Sequence, residues 1–167
     1  STRQATLFPY TTLFRSVNFT KSVSKDIRSI IAFTDYHTNE SVELLNYPTH
    51  CIKDTIECEI VDELKSIDNI KIVKKNSTNG FFALDNLNFD DTDNIIIVGD
   101  CTDICIYQLA ITLKSYFNQN NINKDIIVPI NLVDTYNIDN VHPAELLNIV
   151  FLNSMIQNGI KVVKEIK

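Results

Sequence analysis

The chain has 167 residues, of which 44% are hydrophobic and 22% charged, and its formal net charge is −6. This length suffices for one domain with a hydrophobic core, and the composition is that of an ordinary globular protein. The acidic balance argues against nucleic acid as the main partner, because phosphate binding requires clustered Lys and Arg. No apolar run reaches the roughly 18 residues of a membrane span. Four cysteines without a recognisable secretory signal predict reduced thiols in a cytoplasmic protein. The composition and net charge remain compatible with a small neutral substrate.

The first sixteen residues, STRQATLFPYTTLFRS, resemble a translated sequencing adapter. Residues 6–16 match the constant part of such an adapter in one reading frame, and Ser1-Thr2 matches its upstream part. We therefore predict a non-native segment over residues 1–16 and a domain over residues 17–167. The alternative is a natural N-terminal strand, since the segment is rich in Leu, Phe, Tyr and Thr. Pro9 argues against a central strand, because proline removes a donor from the hydrogen-bond ladder.

From Val17 onward, strand-like and helix-like segments alternate along the chain. Short apolar runs bounded by polar or turn residues predict five strands, at Ile27–Thr34, Ile70–Lys74, Asn94–Val98, Ile126–Val133 and Ile160–Val163. Helical spacing predicts three helices, at Ile56–Ser66, Asp103–Phe117 and Pro143–Asn158. The alternation predicts an α/β fold, a three-layer doubly wound sandwich with a mostly parallel sheet. With only three glycines, the chain lacks the common Gly-rich phosphate loops.

The segment Asn94–Cys105 places a cysteine after a strand and at the start of a helix. Gly99 ends the apolar run, and Cys105 then falls in the first turn of the predicted helix. The positive end of the helix dipole and the N–H groups of that turn favour a thiolate and can stabilise an oxyanion. The pattern predicts a nucleophilic Cys105. A small buried side chain is the alternative, and a redox pair of Cys101 and Cys105 is a third interpretation, although no Cys-x-x-Cys is present.

A set of carboxylates and imidazoles follows the first predicted strand. Asp35 and His37 lie two residues apart on an extended chain and so point the same way, while Glu43 and His50 must fold back over a short loop. Two imidazoles and two carboxylates suit a divalent metal such as Zn²⁺, Fe²⁺ or Mn²⁺. The position also favours a site, because ligands of parallel sheets gather at the carboxyl ends of the strands. The alternative is a pair of loop histidines that make ordinary hydrogen bonds.

Together these residues resemble the isochorismatase-like cysteine hydrolases, and within them the metal-containing nicotinamidase and pyrazinamidase group. The resemblance extends from about Ile27 to Lys164. The family's metal pattern corresponds to Asp35, His37, Glu43 and His50, and the Cys-x-x-Gly-Thr that follows corresponds to residues 51–55, with Asp54 where glycine is usual. The family's lysine corresponds to Lys75, with Lys74 as the competing assignment. Its Gly-x-x-Thr-Asp-x-Cys element corresponds to Gly99, Thr102, Asp103 and Cys105.

The resemblance implies a small-molecule amidase, most simply one that converts nicotinamide to nicotinate and ammonia in NAD salvage through a thioester on Cys105. It implies that Lys75 favours the thiolate and that a cis peptide between Asp100 and Cys101 turns the N–H groups of Cys101 and Cys105 toward the substrate oxygen. A divalent metal would orient the ring. Candidate ring-packing residues are Tyr47, Phe81 and Tyr107, with plain core packing as the alternative. A homo-oligomer is the default for such enzymes.

The chain departs from the family at one catalytic position. The family's third catalytic residue is an aspartate at the end of its first strand, and Asp26 is the only acidic residue of this chain before Asp35. Asp26 leads into the second family strand, so we expect the first strand to be missing or replaced and turnover to be poor. The alternatives are an isochorismatase-type or other small-amide hydrolase, and an inactive domain that binds a metal or small molecule. The metal set favours the amidase, since isochorismate-cleaving relatives generally lack it.

Overall fold

The computed structural model describes residues 10–85 and 89–166 of the chain. Its helices are α1 (Tyr10–Val23), α2 (Asp62–Lys65), α3 (Tyr107–Gln119) and α4 (Ala144–Gln157). Its strands are β1 (Ile30–Asp35), β2 (Ile70–Lys75), β3 (Asn94–Ile96), β4 (Gly99–Asp100), β5 (Asp125–Pro129), β6 (Val133–Asp134) and β7 (Lys161–Val163). A π-helical turn, Thr102–Ile106, leads into α3. Short 3₁₀ helices lie at Val42–Leu45, Ile56–Cys58, Gly80–Ala83 and Ile130–Leu132.

These elements form two compact units. The N-terminal unit comprises residues 17–85, and the C-terminal unit comprises residues 10–16 and 89–166. All strand pairs of both units are parallel within the described residues. The predicted α/β class with parallel strands is therefore confirmed.

In the N-terminal unit, β1 and β2 pair in parallel over their whole lengths. Their register runs from Ile30 beside Ile70 to Asp35 beside Lys75. The first strand begins three residues later than predicted, because the Asn69 side chain donates to the carbonyl oxygens of Ser24 and Ile27, at 2.9 and 3.2 Å, and holds that segment in a turn. The carboxyl ends of the two strands therefore lie side by side.

The predicted helix Ile56–Ser66 is wrong as a continuous element. The chain instead forms the 3₁₀ helix at Ile56–Cys58 and the single turn α2, and the backbone between them is extended at Glu59 and Val61. Ile60 and Val61 are β-branched and lose side-chain freedom against a preceding helical turn. These two residues explain why the apparent helical spacing does not give a helix.

In the C-terminal unit, β5 lies between β3 and β7, and β4 pairs with β6. The core around these strands is fully or almost fully buried and includes Ala110, Leu113, Phe117, Ile126, Val128, Leu152 and Met155. The predicted strand Ile126–Val133 divides at Pro129, after which a 3₁₀ turn precedes β6. Proline offers no N–H to a ladder, so the strand ends there.

Helices α3 and α4 lie where the sequence predicts helices. α4 follows Pro143 and ends before Asn158-Gly159, and Gly159 has a φ of +80°, a left-handed conformation that suits glycine. Among the described residues, no helix is long and apolar enough to cross a membrane.

Helix α1 runs without a break through the predicted boundary at Val17. Thr12 is buried, and its hydroxyl donates to an Asp134 carboxylate oxygen at 3.2 Å. Residues 10–16 are thus helical and do not form the alternative strand, while residues 1–9 lie outside the described residues. The interpretation of residues 1–16 as non-native stays a prediction.

Candidate active site

The cysteine turn of the C-terminal unit begins where β4 ends. The peptide bond between Asp100 and Cys101 is cis. The Cys101 carbonyl oxygen then accepts from the N–H groups of Ile104 and Ile106, at 3.2 and 3.1 Å, which closes the π-helical turn. Cys105 is half-buried within this turn and α3 continues directly from it, so the thiol stands in the first turn of one continuous helical segment.

The two thiols of the turn have different environments. Cys101 is buried, and burial raises the pKa of its thiol to about 12, with smaller contributions from Cys105, Asp100 and Asp103. A hydrogen bond with Thr135 acts in the opposite direction. No disulfide joins the cysteines of the described residues. Cys101 therefore stays a protonated core side chain at neutral pH, which disfavours the redox pair with Cys105.

A buried carboxyl group lies immediately before the turn. Asp100 and Asp134 are register neighbours on β4 and β6. Burial, with the charge of Asp134 as a second cause, raises the pKa of Asp100 to about 7. Asp134 accepts hydrogen bonds from the Thr135 N–H and the Asn148 amide, both at 2.8 Å. Asp100 therefore keeps a proton up to about neutral pH.

His142 is a site residue that sequence reasoning missed. Its Nε2 lies 2.8 Å from a carboxylate oxygen of Asp103, within the cysteine turn. The two residues are 39 positions apart, and His142 stands alone before Pro143. No spacing in the sequence connects them, because the contact depends on the packing of the unit.

The N-terminal unit brings the two predicted histidine ligands together. The His37 N–H donates to the Cys51 carbonyl oxygen at 2.9 Å, and the Lys53 N–H donates to the His37 carbonyl oxygen at 2.7 Å. These bonds fix the 50–53 loop beside His37, and the imidazole rings of His37 and His50 meet edge to face with centroids 4.8 Å apart. The predicted fold-back of the loop thus takes place.

Hydrogen bonds define the tautomers of both imidazoles. His37 Nδ1 lies 3.0 Å from the Asn76 side-chain oxygen, and His50 Nδ1 lies 2.7 Å from the Pro48 carbonyl oxygen. Both of these oxygens only accept, so each Nδ1 carries the proton and each neutral ring presents a lone pair at Nε2. His37 Nε2 is buried and has no hydrogen-bond partner in the described part of the chain. A lone pair so placed suits a cation, and the Nδ1 bonds are the kind that orient metal-binding histidines.

The two carboxylates of the predicted set differ in their partners. Asp35 lies 3.9 Å from His37 Nε2 and forms an ion pair with Lys75. Both oxygens of Glu43 accept from the Thr78 N–H, at 2.8 and 2.9 Å. Within residues 10–85 and 89–166, no group of three or more His, Cys, Asp or Glu side chains is arranged to hold a metal ion. Asp35, His37 and His50 offer donor atoms of the types that a divalent ion prefers, although they are not arranged around one here, whereas Glu43 accepts from the backbone.

The two candidate lysines lie on opposite sides of β2. Lys75 is 5% exposed and pairs with Asp35, while Lys74 is exposed, with its Nζ 4.0 Å above the Tyr36 ring. Strand alternation separates neighbouring side chains in this way. Lys75 is therefore the lysine that lies with the Asp35 and His37 set.

The three candidate ring-packing residues occupy separate places. Tyr47 borders an open cleft of about 520 Å³ together with Glu43 and Asn76. Phe81 contacts Phe82 edge to face. Tyr107 donates to or accepts from the Ser154 hydroxyl at 3.0 Å and contacts Phe151, so it joins α3 to α4. For Tyr107 this is the helix packing that the sequence left as the alternative.

The chain is similar to known proteins in sequence and in fold. A model of the isochorismatase domain matches residues 16–155. Nicotinamidase 1 of Arabidopsis thaliana is 29% identical over 162 residues, covering 82% of this chain and 66% of that protein, so the chain spans just under two thirds of its length. A yeast nicotinamidase superposes with a TM-score of 0.74 at 15% identity, covering 98% of this chain and 94% of that one.

Two further structures share the fold. An N-carbamoylsarcosine amidase from Thermoplasma acidophilum superposes with a TM-score of 0.72 at 20% identity, covering 99% of this chain and 90% of that one. A nicotinamidase from Bacillus subtilis superposes with a TM-score of 0.70 at 22% identity, covering 92% of this chain and 84% of that one.

The parallel strands, helices and cysteine turn thus define an α/β protein of the isochorismatase fold. Because the family model matches most of its length, the chain belongs to the isochorismatase family. The resemblance stated from the sequence is confirmed.

Proposed function

We propose that the protein is a cysteine amidase that cleaves a small carboxamide, with nicotinamide as the preferred candidate substrate. The observation that carries the proposal is the position of Cys105, half-buried in the first turn of a continuous helical segment directly after β4. Helix dipole and backbone N–H groups favour a thiolate there. Nicotinamidase 1 of Arabidopsis thaliana and the amidases of the same fold support the choice of an amide.

The proposed reaction has two steps. The Cys105 thiolate attacks the carboxamide carbon, and the carboxamide oxygen takes up negative charge. The N–H groups of Cys101 and Cys105 stabilise this oxyanion by donating hydrogen bonds to it. The C–N bond then breaks as the leaving nitrogen takes a proton from water, which releases ammonia and leaves a thioester on Cys105. Water attacks the thioester and releases the carboxylic acid and the thiol.

The N-terminal unit supplies the proposed supporting groups. Lys75 is a buried cation beside Asp35, and we assign it the role of favouring the thiolate. His37, His50 and Asp35 would hold a divalent ion, Zn, Fe or Mn, whose contribution when bound is to orient the ring or a water molecule. A homo-oligomer and a cytoplasmic location complete the proposal.

A binding experiment tests the nucleophile without depending on turnover. The aldehyde analogue of nicotinamide adds reversibly to a thiolate and imitates the tetrahedral state, so we expect it to bind the chain 10²-fold or more tightly than nicotinamide, on the order expected of transition-state analogues. Calorimetry should show that Cys105→Ala abolishes this gain, while Cys58→Ala, which removes a buried thiol of the N-terminal unit, retains it. Equal aldehyde binding by the wild type and Cys105→Ala would refute the amidase.

A second candidate is a domain that binds a metal or small molecule without turnover. Among the 167 printed residues, none before Asp26 is acidic and able to serve as the aspartate that the resemblance implies, and these residues alone are therefore compatible with this candidate. Tight aldehyde binding through Cys105 shows a reactive thiol, since an inert thiol forms no thiohemiacetal. Ammonia release that Cys105→Ala abolishes excludes the second candidate.

A further inference from the structure

We propose that His142 is a positioning residue for Cys105. Through Asp103 it fixes the cysteine turn, and it cancels the carboxylate charge that stands two residues before the thiol. This inference rests on the proposed role of Cys105 as nucleophile.

The hydrogen bonds of His142 define the charge of the pair. Its Nδ1 lies 2.8 Å from the Tyr136 carbonyl oxygen, which only accepts, and its Nε2 lies 2.8 Å from the Asp103 carboxylate. A neutral imidazole has one N–H, so both contacts are satisfied only if the pair holds an additional proton. Imidazolium with carboxylate, or imidazole with carboxylic acid, gives the same net charge of zero. Asp103 therefore does not act as a net negative charge beside the turn.

The imidazole is held in place by its own loop. The Tyr136 ring stacks on it with centroids 3.9 Å apart and planes 14° apart. The backbone N–H of His142 donates to the Ile138 carbonyl oxygen at 2.8 Å, and the backbone N–H of Ile138 donates to the His142 carbonyl oxygen at 3.0 Å. The side chains of His142 and Asp103 are only 15% and 6% exposed. A ring fixed by stacking, backbone bonds and burial can fix the turn that it contacts.

The remaining charged groups near the turn make this compensation important. The turn packs against β4, β6, α3 and α4. Asp100 and Asp134 lie on the two strands, Glu145 is exposed in the first turn of α4, and Lys114 of α3 lies beside Gly159. On these four elements, acidic side chains thus outnumber the one lysine. Without His142, Asp103 would add an uncompensated carboxylate that opposes thiolate formation.

Alkylation of the whole chain by iodoacetamide at pH 7 tests the proposal, because the alkylation rate follows the thiolate fraction. Peptide mass spectrometry separates Cys105 from the other thiols. We expect His142→Gln to slow alkylation of Cys105 about tenfold, since an uncompensated charge within the same helical turn shifts a thiol–thiolate equilibrium by about that factor. The double variant Asp103→Asn/His142→Gln replaces the pair by two neutral amides and should return the rate to within about threefold of the wild type. Asp103→Asn alone should keep or raise the rate.

Lys161→Gln is the matched control, because it removes the cation of another carboxylate pair in the same unit, Lys161 with Asp125 at 2.5 Å, and should leave the rate unchanged. A purely structural role of His142 predicts that the double variant is as slow as His142→Gln, which overturns the proposal. A His142→Gln rate equal to that of the wild type also overturns it. If His142→Gln does not fold, a tenfold slower Asp103→Asn refutes the charge argument. Alkylation needs no turnover, so aldehyde binding can fail and refute the amidase while these rates still decide the role of His142.

Discussion

Asp100 ends β4 with a carboxyl group whose proton links stability to pH. Its unfolded reference pKa is 3.8, and burial beside Asp134 raises the pKa to about 7. Between these values the folded chain keeps a proton that the unfolded chain has released. The contribution of Asp100 to the free energy of unfolding is therefore largest below about pH 4 and falls as the pH rises to about 7.

Replacing Asp100 by Asn should remove this dependence, because the amide has similar shape and no charge. We expect Asp100→Asn to exceed the wild type in unfolding free energy at pH 8 by a few kcal/mol and to match it near pH 4. Urea denaturation across this range measures the difference. Asp93→Asn, which removes a carboxylate that is 98% exposed, is the control and should leave the curve unchanged. Parallel curves for Asp100→Asn and the wild type would contradict the argument.

Single residues also show where the sequence was sufficient. Asp54 stands where the resembled family has glycine, and the structure gives it a φ of +64°, a left-handed conformation that glycine adopts at least cost. A hydrogen bond of 2.9 Å from the Tyr36 hydroxyl to Asp54 supports the substitution. The family pattern thus pointed to the backbone conformation at this position. The partner of Asp103, in contrast, could not be read from the sequence, since His142 belongs to no local pattern.

At the scale of elements, the carboxyl end of β1 and the 50–53 loop carry three of the residues that the sequence predicts as metal ligands. Asp35 and His37 come from the strand end, and the backbone bonds of His37 to Cys51 and Lys53 place His50 beside them. Strand alternation and the position at the sheet edge were readable from the sequence. The role of Glu43 was not, because its bond to the Thr78 N–H depends on a loop after β2.

We expect the chain to bind about one divalent ion and to be stabilised by it. An ion at 100 times its dissociation constant adds about 2.7 kcal/mol to the unfolding free energy. Thermal unfolding with and without Zn²⁺ should show a rise in Tm that His37→Asn and His50→Asn abolish. Glu43→Gln should retain most of it, and Glu40→Gln, at an exposed loop position, should retain all of it. Loss of the Tm rise only in Glu43→Gln would place the ion elsewhere.

Other elements show why boundaries were harder to predict than element types. Five strands were placed near their observed positions because apolar runs and turn residues mark them. The prediction of one helix over Ile56–Ser66 was wrong because apolar residues at helical spacing also occur where two short helical turns are joined by an extended link. Ile60 and Val61 lie in that link. The short strand β4 was not predicted, and β6 was not separated from β5, since two-residue pairings leave no periodicity.

For the whole molecule, the 167 printed residues hold no acidic side chain before Asp26, so these residues do not themselves supply the aspartate that the resemblance implies. Loss of a positioned general base costs about 10² to 10⁴ in rate. We expect ammonia release from nicotinamide to be slower by that factor than in a relative that has the base, even if the aldehyde binds tightly. A coupled ammonia assay over several hours measures it, with Cys105→Ala as the blank. Rapid turnover that Cys105→Ala abolishes would contradict the expected impairment.

The π-helical turn has a consequence for changes in chain length. A π turn holds one more residue than an α turn, and Thr102–Ile106 places this additional residue between the strand end and α3. Deleting one residue there would permit a regular α-helix, yet would rotate Cys105 by about 100° relative to Ala110, Leu113 and Phe117, which are buried in the core. Length variation should therefore be excluded from this turn and tolerated in the loop of residues 120–124, which follows α3.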